Sequence, residues 1–278
     1  MAQITTNNAL PVGKSKGILR IQSKIIRATN DSSDLNRELL VQVFPVVGVY
    51  GITQKLTVFG VFPILNKSLT QTKNGDRFTR STDFGLSDIR LFARYDLFRK
   101  TGRETILSLS AFGRLELPTG ADNLRDDRGR LPQPLQRGTG STNSFGGLVL
   151  TYQSLEWFFT GSSSYQINTQ ANNFEFGDTY RLDAVAKYRL LARELSTGVS
   201  GFFYLVMESN LIWQDENVFN NSTDRNSGGT IWFLDPGLQY ITKKFIIEGI
   251  IQVPVNKKLN RSVLENDFIT TISLRMNL

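Results

Sequence analysis

The stretch YRLDAVAKYRLL, Tyr180 to Leu191, sorts its side chains by parity. Tyr180, Leu182, Ala184, Ala186, Tyr188 and Leu190 share one face, while Arg181, Asp183, Val185, Lys187 and Arg189 share the other. Period-two alternation marks a β-strand between two unlike environments. A soluble sheet buries its apolar face and offers the charges to water. A membrane barrel does the reverse, with lipid against the apolar face and the charges in a lumen. The rest of the chain has to choose.

Composition leaves both readings open: 278 residues, 40% hydrophobic and 21% charged. No apolar run reaches the roughly 18 residues of a membrane-spanning helix. Zero cysteines and zero histidines remove disulfides, thiolate or histidine metal sites, thiol nucleophiles and the Ser-His triad. An enzyme is therefore not expected, nor is a cofactor or a metal. The net charge of +7 raises the question of nucleic acid. Its Lys and Arg are dispersed among acids rather than gathered with aromatics, so nucleic acid is not an expected partner. The opening MAQITTNNALPVG lacks the charged and apolar regions of a signal peptide, and Ala2-Gln3 reads as a post-cleavage start behind an added Met1.

Alternating segments recur at about 17–29, 39–50, 55–66, 82–97, 104–118, 142–153, 155–168, 178–191, 197–215, 228–241, 244–256 and 266–278. Twelve is an even number, and the parity repeats. In ETILSLSAFGRLEL the residues Leu107, Leu109, Ala111, Leu115 and Leu117 oppose Ser108, Ser110, Phe112, Arg114 and Glu116. ELLVQVFPVVGVY is apolar on both faces. Connections alternate without exception between short (51–54, 98–103, near Ser154, 192–196, 242–243) and long (30–38, 67–81, 119–141, 169–177, 216–227, 257–265). All short turns at one end and all long loops at the other describe an up-and-down meander. A sandwich would scramble those lengths with Greek-key crossovers.

The strands exceed the usual 5–6 residues and suit a tilted membrane crossing. Tyr180 and Tyr188, eight residues apart, would stand roughly 20 Å apart along the membrane normal, close to the spacing of aromatic girdles. The expected fold is all-β: a closed, antiparallel, up-and-down transmembrane β-barrel of about 12 strands in the bacterial outer membrane. Residues 1–278 form one domain, with 1–16 as an N-terminal periplasmic segment and long external loops near 67–81 and 119–141. The closing strand, NDFITTISLRMNL, is amphipathic to its end, although outer-membrane proteins usually finish on Phe and this chain has Leu278.

The same parity gives a lumen. Its expected cations are Arg20, Lys24, Arg90, Arg94, Arg114, Arg181, Lys187, Arg189 and Arg275; its acids are Asp88, Asp96, Glu116, Glu156, Asp183, Glu208, Asp235 and Glu248. Nine against eight predicts a mesh of ion pairs rather than a strongly selective pore. Phe112, Phe158, Phe202 and Tyr204 also point inward, either as contacts for an apolar solute or as filler. Loop charges Asp122, Arg125, Asp126, Asp127, Arg128 and Arg130 belong either to a solvated loop or to a site for lipopolysaccharide or a divalent ion. Prolines 45, 63, 118, 236 and 254 mark bulges or a gap in the wall.

Several segments resemble an outer-membrane family of Gram-negative bacteria named for the meta-pathway of phenol degradation. VYGITQKLTVFGVFPIL carries its Tyr-Gly-Ile-Thr turn, and FGLSDIRLFARYDLFR its Gly-Leu-Gly-Asp strand, with Ser87 in place of Gly. GRLELPTG followed by GTGS matches the pair flanking its third external loop, and GDTYRLDAVAKYRL also fits. The resemblance implies a monomeric twelve-stranded channel that passes small hydrophobic molecules, and brings no catalytic residues. The expected function is thus passive uptake of a small, hydrophobic or aromatic solute through a narrow charged lumen, with outer-membrane lipid and lipopolysaccharide as partners. Lateral release into the membrane, or a plugged structural or adhesive barrel, is the alternative.

Overall fold

The computed structural model describes residues 8–31, 33, 35–191, 201–260 and 263–278. Among these, twelve strands close a barrel: β1 (Gly17–Asn30), β2 (Glu38–Gly51), β3 (Leu56–Lys73), β4 (Ile89–Thr101), β5 (Ile106–Leu117), β6 (Asn143–Gln153), β7 (Trp157–Ile167), β8 (Thr179–Leu191), β9 (Gly201–Gln214), β10 (Gly229–Thr242), β11 (Phe245–Leu259) and β12 (Glu265–Asn277). Each pairs antiparallel with its sequence neighbours, and β12 pairs with β1, so no edge is left free. The expected connection at 192–196 and the first residues of the ninth segment lie outside the described residues.

The barrel is inside-out relative to a soluble protein. Lys187, Glu208 and Asp235 are 0% exposed, whereas Leu182 is 40% and Ile272 59% exposed. The greasy face of Tyr180–Leu191 therefore meets lipid and its charges meet the lumen. Aromatics gather at two levels of the outer face. Tyr180 lies level with Tyr165 and Trp213 in the ladder. Nearer the short turns, Tyr188 packs on Trp157, ring centroids 4.6 Å apart. Among the bulges of the barrel, two, between Asp96 and Phe98 and between Arg189 and Leu191, lie toward the short turns. One extra residue there leaves Leu97 and Phe98, and likewise Leu190 and Leu191, exposed together.

Several boundaries differ from the sequence reading. The fourth strand runs on to Thr101 and β11 to Leu259, and short strands Phe174–Glu175, Asn217–Phe219 and Ser222–Asp224 pair within the loops. Two further differences are larger. The expected loop 67–81 is a hairpin: β3 runs on to Lys73, turns at Asn74–Gly75 with positive φ, and pairs back with Asp76–Ser81. The continuous fourth strand begins at Ile89: Gly85–Leu86 still pair with Ile64–Leu65 of β3, but the strand is interrupted at Ser87–Asp88, whose side chains hold the long external loop. Of the prolines, Pro45 and Pro63 sit opposite each other in an unbroken β2–β3 ladder. Pairing lapses beside Pro45 on the β1 side and beside Pro236 on the β11 side, then resumes. A bulge accompanies Pro254, and β5 stops one residue before Pro118.

The N-terminal stretch departs from the expected periplasmic segment. Below β1 the chain turns at Gly13–Lys16, held by Ser15 N–H on the Gly51 carbonyl (2.8 Å), and residues 8–12 run up inside the barrel. Residues 1–7 lie outside the described residues. The cause is polar satisfaction. Ala9 is 0% exposed; its N–H donates to Thr151 Oγ1 (2.9 Å), and its carbonyl accepts from Ser110 Oγ (2.8 Å). Val12 N–H donates to Thr57 Oγ1 (3.1 Å). Small hydroxyl side chains at inward positions of β3, β5 and β6 leave room for a backbone and also bind it. Gly51 makes the entry passable, since a Cβ there would meet the Val12 carbonyl oxygen at 2.6 Å.

The candidate site in the lumen

Above that strap lies a cavity of about 640 Å³. Its walls are unlike. β2 and β3 present Val43, Pro45, Val47, Val61, Pro63 and Leu65, while β1, β5 and β8 present Lys24, Arg114 and Arg181. The first wall explains why ELLVQVFPVVGVY showed no alternation: one of its faces meets lipid, and the other is an apolar lumen wall. The failed alternation was itself the signal.

Phe59, Phe92 and Phe145 line the cavity floor, with Phe112 between them buried against Ala9 of the strap and off the cavity surface. Phe59, Phe92, Phe112 and Phe145 on β3 to β6 form a ladder with successive centroids 4.6, 5.7 and 5.5 Å apart. Of these, parity reasoning proposed only Phe112 as a solute contact. The ladder became legible only when the strands were placed side by side. Gly147 admits it, because a Cβ there would reach Phe112 at 2.8 Å and strike the Ser163 carbonyl. Phe158, Phe202 and Tyr204 do not join it. They pack near the short-turn end around cations: Lys187 Nζ is 5.4 Å from the Phe158 ring, and the Arg189 guanidinium is 4.6 Å from Phe202. The expected four-residue patch is thus two separate groups.

The expected ion-pair mesh occupies the β8–β12 side. Arg20 Nη2 meets Glu248 Oε1 at 2.8 Å, and Gln239 Nε2 donates to Glu248 Oε2 at 2.5 Å. Lys187 Nζ is 3.4 Å from Gln239 Oε1. Arg181 Nε donates to Asp183 Oδ1 (2.6 Å), which also accepts from Asn210 Nδ2 (2.7 Å). Glu208 and Asp235 face each other across the β9–β10 ladder, with Gln252 Nε2 donating to Asp235 Oδ2 (3.0 Å). Arg275 lies opposite Arg20 in the ladder and lines the cavity beneath, where the strap enters. On β4 and β5, Arg90 pairs with Glu116, and Asn143 Nδ2 donates to Glu116 Oε1 at 3.2 Å. Arg114 Nη2 donates to Gln166 Oε1 (2.8 Å) with its guanidinium 4.4 Å above Phe145.

Two acids, Asp88 and Glu156, depart from the sequence reading, and a third, Asp96, faces inward as expected but lies below the main cavity. Asp88 is spent on the long external loop, accepting from Gly120 N–H (2.9 Å), Thr139 N–H (2.6 Å) and Thr139 Oγ1 (2.8 Å). Asp96 sits at the short-turn rim, bound by Arg99 (2.6 Å) and Ser108 Oγ (3.0 Å). Glu156 is exposed in a turn. Losing them upsets the expected balance. The main cavity is lined by five cations (Arg20, Lys24, Arg90, Arg114, Arg181) against two carboxylates, Glu116 and Asp183.

Loop 119–141 has a small core of its own, with Leu131 and Leu135 both 2% exposed. Its charges are largely internal or bound to neighbours. Arg80 grips Asp126 through two bonds of 2.7 Å, and Asn172 Nδ2 donates to Asp122 Oδ2 at 2.8 Å. The Arg80 hydrogen bond, outweighing a smaller opposing effect of burial, holds the Asp126 carboxyl below the usual carboxylate range. Lys67 Nζ ties the loop down through the carbonyls of Pro134 (2.8 Å) and Gln136 (2.6 Å).

A closed twelve-stranded barrel with an apolar girdle outside and buried charge inside is a bacterial outer-membrane β-barrel. Residues 33–253 match the family described as "Putative MetA-pathway of phenol degradation", and the chain belongs to it. Among solved structures it is similar to an outer membrane channel from Pseudomonas putida F1, at 13% identity over 99% of this chain and 100% of that one, with a TM-score of 0.71. The NanC porin is also similar, at 10% identity over 94% of this chain and all of that one, TM-score 0.50. No curated protein matches.

Proposed function

We propose that the barrel is a monomeric channel for passive uptake of small, hydrophobic or aromatic molecules across the outer membrane. The observation that carries this reading is the lumen cavity, walled by Val, Pro and Leu of β2 and β3 and floored by the phenylalanine ladder. Twelve strands leave a narrow bore, and the strap at residues 8–12 narrows one end further. The apolar outer face suits lipid, and the loops above it would stand among lipopolysaccharide. With all sheet edges paired, the wall needs no second copy.

Single-channel recording of the purified protein in a planar bilayer at high salt tests the reading. Small, steady steps are expected, and larger ones after removal of residues 1–12. No conductance from folded, inserted protein of either form would discard the channel.

A further inference from the structure

The cavity pairs two chemistries. A purely hydrophobic solute would fill the Val43–Pro45–Pro63 wall and the Phe92–Phe145 floor but leave the surplus of cations over carboxylates in the cavity without counter-charge. Those cations are short of partners. Lys24 has no hydrogen bond or ion pair among the described residues. Arg181 Nη2 is buried without a partner, its Nε alone being held by Asp183. Arg114 is bonded only to the neutral Gln166, besides its ring contact with Phe145. Lys24 feels the like charges of Arg181 and Arg90 against the single acid Asp235, and Arg114 feels Arg90 and Arg181 against Glu116. Like charges gathered beside a low-dielectric wall repel, and an anion among them relieves that repulsion. A small hydrophilic anion would meet the charges but desolvate nothing on the apolar side.

We propose that this cavity binds a small amphipathic monoanion, an aromatic or short aliphatic carboxylate. Its hydrocarbon part lies against Pro45, Pro63 and the Phe92–Phe145 rings, and its carboxylate sits among Lys24, Arg114 and Arg181. The proposal rests on the channel reading for its biological meaning, since the bound anion is then the transported class. The volume of about 640 Å³ is that of a small-molecule site. Guanidinium groups fixed by Gln166 and Asp183 offer their remaining N–H donors in a plane that matches a carboxylate.

The test uses the whole protein in detergent, titrated calorimetrically with benzoate, with benzyl alcohol as its neutral counterpart and acetate as its small hydrophilic one. Benzoate is expected to bind at least about tenfold more tightly than either. Lys24→Met removes a charge that makes no hydrogen bond or ion pair among the described residues and should weaken benzoate binding about tenfold relative to benzyl alcohol. Arg114→Gln should act in the same direction. Equal binding of benzoate and benzyl alcohol, or indifference of benzoate to both substitutions, overturns the anion site. Acetate binding as tightly as benzoate overturns its amphipathic character. Because the titration needs no conduction, benzoate binding by a protein silent in bilayers would sink the channel and keep the site; steady conductance without benzoate preference would do the opposite.

Discussion

Arg94 holds Asn8 by its backbone: Nη1 donates to the Asn8 carbonyl at 2.5 Å and to Asn8 Oδ1 at 3.1 Å. Nη2 continues to the Leu10 carbonyl at 2.5 Å. A cation only 5% exposed is thereby held mainly by peptide oxygens of the strap, its Nε alone making no hydrogen bond among the described residues.

Arg94→Met should free the strap. Three charge-assisted bonds at about 1.5–3 kcal/mol each are lost, enough to make the open form well populated. Single-channel steps should grow or flicker between two levels. Steps identical to those of the parent would show that residues 8–12 do not limit the path.

Gly51→Ala approaches the same strap from the wall. The added methyl would collide with the carbonyls of Val12 and Gly13, so residues 8–13 must shift. Proteolysis of the N-terminal stretch in folded protein should quicken, with the barrel core still resistant. Unchanged cleavage would mean that the strap tolerates the methyl where it lies.

Lys187→Met removes the only fully buried lysine among the described residues, close to Glu208 and Glu248. Breaking a buried ionic network leaves uncompensated charge, at a cost of about 3–5 kcal/mol. The temperature at which the folded, fast-migrating form is lost on semi-native gels should fall clearly. Glu248→Gln, which keeps the hydrogen-bonding shape, should lower it less.

Asp31, in the loop after β1, is 2% exposed in its side chain. Burial alone would raise its carboxyl, but Arg37 and Ser33 outweigh it through bonds such as Arg37 N–H to Oδ2 at 2.7 Å, holding it well below the usual range. A carboxyl depressed on folding stabilises above its unfolded value of about 3.9, and the stabilisation fades as pH falls through the lower folded value. Amide exchange at Ser33 and Arg37 should therefore stay protected at pH 4. Asp31→Asn should accelerate it about tenfold at neutral pH; equal protection in the variant would refute the assignment.

Strand number, lipid-facing parity and the loop asymmetry were all legible in the sequence, because each strand separates lipid from lumen and must alternate. The bulges at Asp96–Phe98 and Arg189–Leu191 were not, since an inserted residue looks like a change of pattern only after the partner strand fixes the register. Asp88 illustrates the same limit: its parity is inward, but Gly120 and Thr139, more than thirty residues away, claim its oxygens.

What the sequence determined alone was the period-two code and the total charge it sends inward, properties of single strands read one at a time. Only the tertiary structure decided how that charge is divided. Closing the ring set β2 and β3 against β5 and β8, which put an apolar wall across from Lys24, Arg114 and Arg181 and left Glu208, Asp235 and Glu248 in the opposite mesh. It also drew residues 8–12 into the lumen, where Arg94 and the hydroxyls of Thr57, Ser110 and Thr151 could satisfy their peptide groups. Contacts between strands far apart in the chain depend on the curvature and register of the whole barrel, which no single strand encodes.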